Sequence, residues 1–197
     1  DLIDLVPEPY DHPLPLLEDV QRLEDRAISG SALVVAITSD MQTFLQDKGA
    51  KRVVVAGNGS RVANAAPADS LSDSRFTADS NQLLFGCFGS SYWPNSEGLA
   101  AVTRPSLAFL PPNGRLVTTG RLGQALKDHP SYRRGRRIND SRLLHYDHLD
   151  GAAYEALVRS CDLLLLPVFV GGGSPLKTAD ALASGKPVLL TRKMTSG

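Results

Sequence analysis

The sequence predicts an α/β fold, with parallel sheets covered by helices on both faces. Three observations carry that expectation. Apolar runs of strand length recur along the chain, the clearest being Leu163 to Leu166. Stretches with helical apolar spacing or helix-start signals stand between them. The runs are also near-continuously apolar rather than alternating, the pattern of strands buried on both faces.

In chain order, residues 1–57 read as strand, loop, helix, strand, helix, strand. Asp1 to Val6 is a short apolar run ended by Pro7 and a proline-rich loop through Pro15. Apolar residues at 16, 17, 20, 23, 27 and 28 form a helical stripe that stops at Gly30. Ala32 to Ile37 is a buried strand by composition. Thr38-Ser39-Asp40 caps a helix that ends at Gly49, and Arg52 to Ala56 is the next strand. Residues 58–80, rich in Ala, Ser, Asp and Asn, have the composition of a linker and are where a domain boundary is expected.

Residues 81–197 alternate strands and helices again. Strands are expected at Leu83–Phe88, Arg115–Thr118, Arg142–Tyr146, Asp162–Pro167 and Pro187–Leu190. Helices are expected from Pro94 to about Leu110, from Gly151 to Ser160 and from Pro175 to Ser184. Ligands of such sheets bind at the carboxyl ends of the strands, so the residues just after each strand are the ones to inspect.

Composition narrows the function classes. Of 197 residues 42% are hydrophobic and 6% aromatic, an ordinary composition able to bury a core. Twenty-one basic side chains balance 21 acidic ones, so nothing global argues for a nucleic-acid partner. Cys87 and Cys161 have no metal-ligand spacing and read as buried thiols of a reducing compartment. No stretch of about 18 apolar residues exists to form a transmembrane helix. The chain begins without methionine and stops directly after an apolar segment, so a fragment of a longer protein is expected.

The motif richest in chemistry runs from Pro167 to Val188. A buried strand enters Gly171-Gly172-Gly173-Ser174 and then a helix with Pro175 at its first position, where proline is favoured. Glycines permit close backbone approach, and the free N–H groups of a first helical turn attract anions. Lys177 adds a positive charge in that turn, which makes a diphosphate cradle. Asp180, three residues on and on the same helix face, could accept hydrogen bonds from ribose hydroxyls. A glycine-rich turn with a solvated Lys177–Asp180 ion pair is the plainer reading. Neither the dinucleotide fingerprint nor the Walker spacing occurs in this segment. A second loop, Gly86-Cys87-Phe88-Gly89-Ser90-Ser91-Tyr92-Trp93-Pro94-Asn95, could bring the backbone of Gly89 and Ser90 close to phosphate.

These two segments resemble the donor site of retaining GT-B glycosyltransferases, a family that includes many bacterial sugar transferases. The likeness is to the branch reading G-G-[ST]-x-x-K-x-x-E-A-[LM]-A-x-G-K-P-V-V, and the second loop is similar to its G-S-x-x-x-P-N segment. Asn58-Gly59 matches the pair that precedes the interdomain linker. The resemblance spans nearly the whole chain, with its strong motifs in about a fifth of it. It implies a Rossmann-like donor domain over 81–197, a linker over 58–80 and the end of a similar acceptor-side domain over 1–57. The implied activity is transfer of a sugar from a nucleoside diphosphate sugar to an acceptor, in cell-surface polysaccharide or glycoconjugate synthesis.

Site residues carry over position by position. Gly89, Ser90, Gly171, Gly172, Gly173, Ser174 and Lys177 would hold the diphosphate, with Lys177 stabilising the charge that grows as it leaves. Asp180 would bind ribose. His145 and Tyr146, at a strand end, could contact the base. Neither a metal nor a cofactor is expected beyond the donor itself. The family's two glutamates, eight positions apart, are replaced here by Gly172 and Asp180. The acceptor would be lipid-linked or a glycan, and no nucleic-acid partner is implied. The enzyme would be cytoplasmic. The run Tyr132 to Arg137 reads as a solvated loop, and its arginines could touch anionic lipid at the inner membrane face. Trp93 reads as a packing residue. Most of the acceptor side is missing, so this chain alone is expected to bind a donor without turning it over. A GT-B epimerase or phosphorylase and a non-catalytic binding or scaffolding module stay open beside the transferase.

Overall fold

The computed structural model describes residues 14–57, 59, 60, 76, 81–104, 106–170 and 176–195, with 14–17 as backbone only. The strand expected over residues 1–6 lies outside them. The chain divides into two compact units, residues up to Gly59 forming the first, and 60–170 with 176–195 the second.

In the first unit helix α1 (Leu14–Gly30) leads to strand β1 (Val34–Ala36), helix α2 (Ser39–Asp47) and strand β2 (Val53–Val55). The two strands pair in parallel, Val34 opposite Val53. Thr38 caps α2 as its position implied, its hydroxyl accepting the Met41 N–H at 3.1 Å. Among the described residues Ile28, Ala36 and Leu45 are the buried apolar ones of this unit, with Val34, Met41 and Val53 packed against them.

The second unit is built on a five-stranded parallel sheet in the order β5-β4-β3-β6-β7. Its strands are β3 (Leu83–Cys87), β4 (Gly114–Thr119), β5 (Leu143–Tyr146), β6 (Leu163–Leu166) and β7 (Val188–Leu190). Helices α3 (Trp93–Val102), α4 (Gly120–Asp128), α5 (Pro130–Arg134), α6 (Arg136–Arg142), α7 (Gly151–Ser160) and α8 (Leu176–Ala183) stand between them. Two apolar clusters flank the sheet. One gathers Leu84, Val117, Leu157, Cys161 and Leu164; the other gathers Cys87, Leu99, Leu116, Leu122 and Leu126. Successive residues of one strand fall into different clusters, Leu116 in one and Val117 in the other, as parallel strands covered on both faces require.

Three expectations need correction. Helix α3 ends at Val102, and Leu107–Phe109 is a separate 3-10 turn. Proline at 105 lacks the N–H that a continuing helix would use and disfavours helical backbone in the residue before it. The segment read as a loop at Tyr132–Arg137 is helical, divided between α5 and α6 at Gly135. Its anchor is polar. The fully buried Asn139 accepts the Leu107 N–H and donates to the Tyr132 carbonyl, both at 2.7 Å. Trp93 is 40% exposed rather than packed inside. Within the stretch read as linker, Phe76 is buried against Tyr146 in the second unit.

Candidate functional site: the crevice between β3 and β6

Counted in chain order within the second unit, the sheet runs 3-2-1-4-5, the doubly wound order. Its order reverses between β3 and β6, which pair through Phe85–Leu163 and Gly86–Leu164. Chains leaving the carboxyl ends of these two strands part to opposite sides, and the crevice so opened is where such sheets take ligands. Both loops singled out in the sequence leave the sheet at that point.

The first loop follows β3. Cys87 ends the strand, Gly89 and Ser90 turn, and Asn95 is the third residue of α3. The second follows β6 and opens α8, whose second residue is Lys177. Gly171, Gly172, Gly173 and Ser174 lie outside the described residues. Lys177 crosses to the first loop and donates from Nζ to Asn95 Oδ1 at 2.6 Å. Asn95 in turn donates from Nδ2 to the Ser90 carbonyl at 3.1 Å and to Ser90 Oγ at 3.3 Å. Ser90 Oγ also accepts the Tyr92 N–H at 3.4 Å.

Gly89 lets this happen. A Cβ built on it would lie 2.6 Å from Lys177 Nζ and 3.1 Å from Cε, so any side chain there would push the ammonium away. Gly98 performs the same service for the helix. A Cβ there would meet the Pro167 carbonyl oxygen at 1.7 Å, so its absence allows α3 to lie directly on the end of β6.

Burial lowers the Lys177 pKa from its ordinary value. Beside it the Cys87 thiol is pushed up to about 12 by burial, so it stays neutral and inert at physiological pH. The crevice therefore presents a partly desolvated ammonium. Among the described residues its acceptor is Asn95 Oδ1, and an ammonium has three N–H groups to donate.

Asp180 sits one helical turn beyond Lys177 and makes no ion pair with it. Its carboxylate accepts the Ser60 hydroxyl at 2.5 Å. The plainer expectation, a solvated Lys177–Asp180 pair, is thereby replaced by two separate contacts. The exit of α8 follows its sequence signals. Gly185 adopts φ +69°, the left-handed conformation that ends helices, and Lys186 donates from Nζ to the Arg159 carbonyl at the end of α7.

His145 and Tyr146 lie on β5, two strands from β3, and being consecutive they face opposite sides of the sheet. The His145 side chain packs over Gly123 of α4, where a Cβ would meet its Nδ1 at 2.2 Å. Its Nδ1 is 3.4 Å from Thr118 Oγ1, and its Nε2 is 3.5 Å from Asp147 Oδ1. Desolvation, and then the nearby Lys127 charge, lower its pKa, which keeps the imidazole neutral near pH 7. Tyr146 stacks edge-on against Phe76, ring centroids 5.1 Å apart. Both residues nevertheless border one groove of about 400 Å³, with Lys127, Tyr132 and Asp140 on its other walls. Crevice and groove are separate features.

Sequence reasoning placed Asn95 in the loop after β3 but missed its bond to Lys177. Its partner stands 82 positions away, so no local spacing could reveal the bond. Among the described residues no group of three His, Cys, Asp or Glu side chains could hold a metal ion. No helix among them is long and apolar enough to cross a membrane.

No family model and no curated protein sequence matches the chain. Solved structures do. Sucrose-phosphate synthase from Thermosynechococcus elongatus superposes on 89% of this chain and 44% of its own, at a TM-score of 0.63 and 13% identity. Anabaena HepE in complex with UDP covers 95% of this chain and 51% of its own, at 0.63 and 19% identity. The apo structure of OtsA covers 92% and 51%, at 0.63 and 15% identity. The chain spans about half the length of these proteins. At such identities the likeness is one of fold, and it agrees with the sheet order and the crevice: this chain has the fold of GT-B glycosyltransferases, and its five-stranded sheet matches their Rossmann-like domain.

Proposed function

We propose that the second unit binds a nucleoside diphosphate sugar and serves a glycosyltransferase that transfers the sugar to an acceptor with retention of configuration. The observation that carries this reading is the Lys177 ammonium, held by Asn95 at the switch point of the sheet. A diphosphate there would meet a preorganised cation in a partly dehydrated crevice, where its attraction is stronger than in water. The same contacts strengthen as the diphosphate departs and its charge grows, so Lys177 would lower the barrier to leaving-group loss. Asp180, close to Lys177 on α8, would exchange the Ser60 hydroxyl for a ribose hydroxyl. The groove at β5 lies two strand spacings from β3, about 10 Å away. That distance suits a base at one end of a nucleotide whose diphosphate sits at the other. HepE, one of the similar structures, was solved with UDP and with UDP-glucose, which makes uridine donors the first to try.

The acceptor, lipid-linked or a glycan, a cytoplasmic location and a role in glycoconjugate synthesis belong to the same proposal. Lipid contact would fall to the outward arginines of α5 and α6. The reading is tested by titration calorimetry of the chain against UDP, GDP and their glucose conjugates, with Lys177→Ala in parallel. Hydrogen bonds to charged groups contribute about 1.5–3 kcal/mol, so the variant should lose at least about tenfold in affinity. A folded protein that evolves no heat with any nucleotide would instead be a non-catalytic module on the same fold.

A further inference from the structure

We infer that Asn95 is a positioning residue of the crevice, holding the Lys177 ammonium in place for an anionic diphosphate. The inference rests on the donor-binding reading above for its ligand, but its geometry stands by itself.

Asn95 is 9% exposed, and each of its side-chain ends has a single chemically allowed role. Lysine can only donate, so the atom facing Nζ must be the carboxamide oxygen. A backbone carbonyl can only accept, so the atom facing Ser90 O must be the amide nitrogen. The two constraints agree and fix the amide's orientation without choice. The side chain is therefore a rigid bridge from the loop after β3 to the helix after β6, across the point where the sheet order reverses.

The local sequence supports that role. Tyr92 gives α3 no side-chain cap, and Pro94 has no N–H of its own. Asn95 is a polar residue in this first turn, yet it turns to Ser90 and Lys177 rather than capping its own helix. An unrestrained lysine loses side-chain freedom on gripping a ligand. Asn95 has already imposed that loss, which is how preorganisation raises affinity. Being neutral, the carboxamide also orients the ammonium without cancelling the charge that must attract the ligand. The titratable group acting on Lys177 is Cys87 on β3, and Tyr154 on α7 and Asp180 on α8 lie beyond it, interacting with each other. Burial raises the Cys87 thiol and the Tyr154 phenol, leaving both uncharged at neutral pH.

The test uses two variants of the whole chain and two readouts. Asn95→Asp keeps the shape but places an anion against the ammonium; Asn95→Ala removes the bridge. The first readout needs no ligand. Titration of the Lys177 side chain by NMR, with lysine labelled at Cε, should show Lys177 losing its proton at higher pH in Asn95→Asp than in the wild type. A merely structural asparagine would leave that titration unmoved, and an unmoved titration in a variant of native thermal stability overturns the proposal. The second readout is UDP affinity near pH 7. About tenfold weakening is expected in Asn95→Ala, and more in Asn95→Asp, because its carboxylate competes with the diphosphate. Unchanged affinity in both variants also overturns it. The expected Lys177 shift in Asn95→Asp, together with a wild-type protein that binds no nucleotide, would sink the donor-binding reading while leaving the Asn95–Lys177 bridge in place.

Discussion

The two units use the same elements to different effect. Both pair their strands in parallel, and both follow strands with helices. In the second unit the sheet is buried on both sides, and fully buried leucines stand in each cluster, Leu157 in one and Leu99, Leu116, Leu122 and Leu126 in the other. In the first, Ile28, Ala36 and Leu45 are the buried apolar residues among those described, while Val35 is 55% exposed and Val54 and Val55 are exposed beside it on β2. Parallel strands are normally covered on both faces, because apolar side chains leave both. The contrast locates stability: the unit that carries the crevice is also the one with a two-sided core, and Lys177 and Asn95 are set on its helices α8 and α3.

The hardest blow to that arrangement should be Gly98→Ala. A Cβ at 1.7 Å from the Pro167 carbonyl oxygen must drive α3 off the end of β6. Overpacking typically costs about 1–3 kcal/mol and occasionally more, and a clash with backbone at this distance belongs to the larger cases. Because α3 carries Asn95, the variant should lose nucleotide affinity as well. Urea denaturation with calorimetry on the same sample checks both, and a fully stable Gly98→Ala would mean that α3 is free to slide.

Next come paired truncations of two fully buried leucines, Leu157→Ala in the second unit and Leu45→Ala in the first. Removing a buried leucine costs about 2–5 kcal/mol, less where the surroundings can collapse into the space. Leu157 is enclosed by a large cluster and should fall near the top of that range. Leu45 sits in a small one and should fall near the bottom. Amide hydrogen exchange sharpens the result, since each loss should appear in the amides of its own unit. Equal losses would break the comparison.

Smaller still are the helix starts. The Asp150 carboxylate caps α7 by accepting the Ala153 N–H at 2.8 Å, and Thr38 caps α2 in the same way. Each changed to alanine should cost about 1 kcal/mol in the melting of its own unit, with nucleotide affinity unaltered by Asp150→Ala.

Much of this could be read from the sequence for physical reasons that differ by element. Leu163 to Leu166 is apolar throughout because β6 lies inside the sheet, so it is recognisable without any partner. Thr38, Gly185 and the α7 boundaries follow local backbone chemistry, which neighbouring residues determine. The α5–α6 pair hid because its anchor is one buried asparagine and one tyrosine, while four arginines dominate the surface of the segment. Lys177 was visible as a charge in a first helical turn. Its partner was not, since Asn95 and Lys177 meet only once the sheet has folded. His145 and Tyr146 are neighbours in the string but turn to opposite sides on a strand, and that both still border one groove is visible only in the fold.

The smallest predicted effect tests the comparison where it is most exposed. Val54→Thr exchanges one β-branched side chain for another of nearly the same shape, so strand propensity hardly changes. What changes is one methyl for a hydroxyl. In a covered strand that hydroxyl would be desolvated, a cost of about 1–3 kcal/mol without a partner. On the open face of β2 water satisfies it, and the expected change is within about 0.5 kcal/mol. The same substitution at Val117, fully buried in β4, serves as the reference and should show the full cost. A Val54→Thr loss as large as that at Val117→Thr would mean that β2 is covered in solution, and the first unit would then be built on the same two-sided principle as the second.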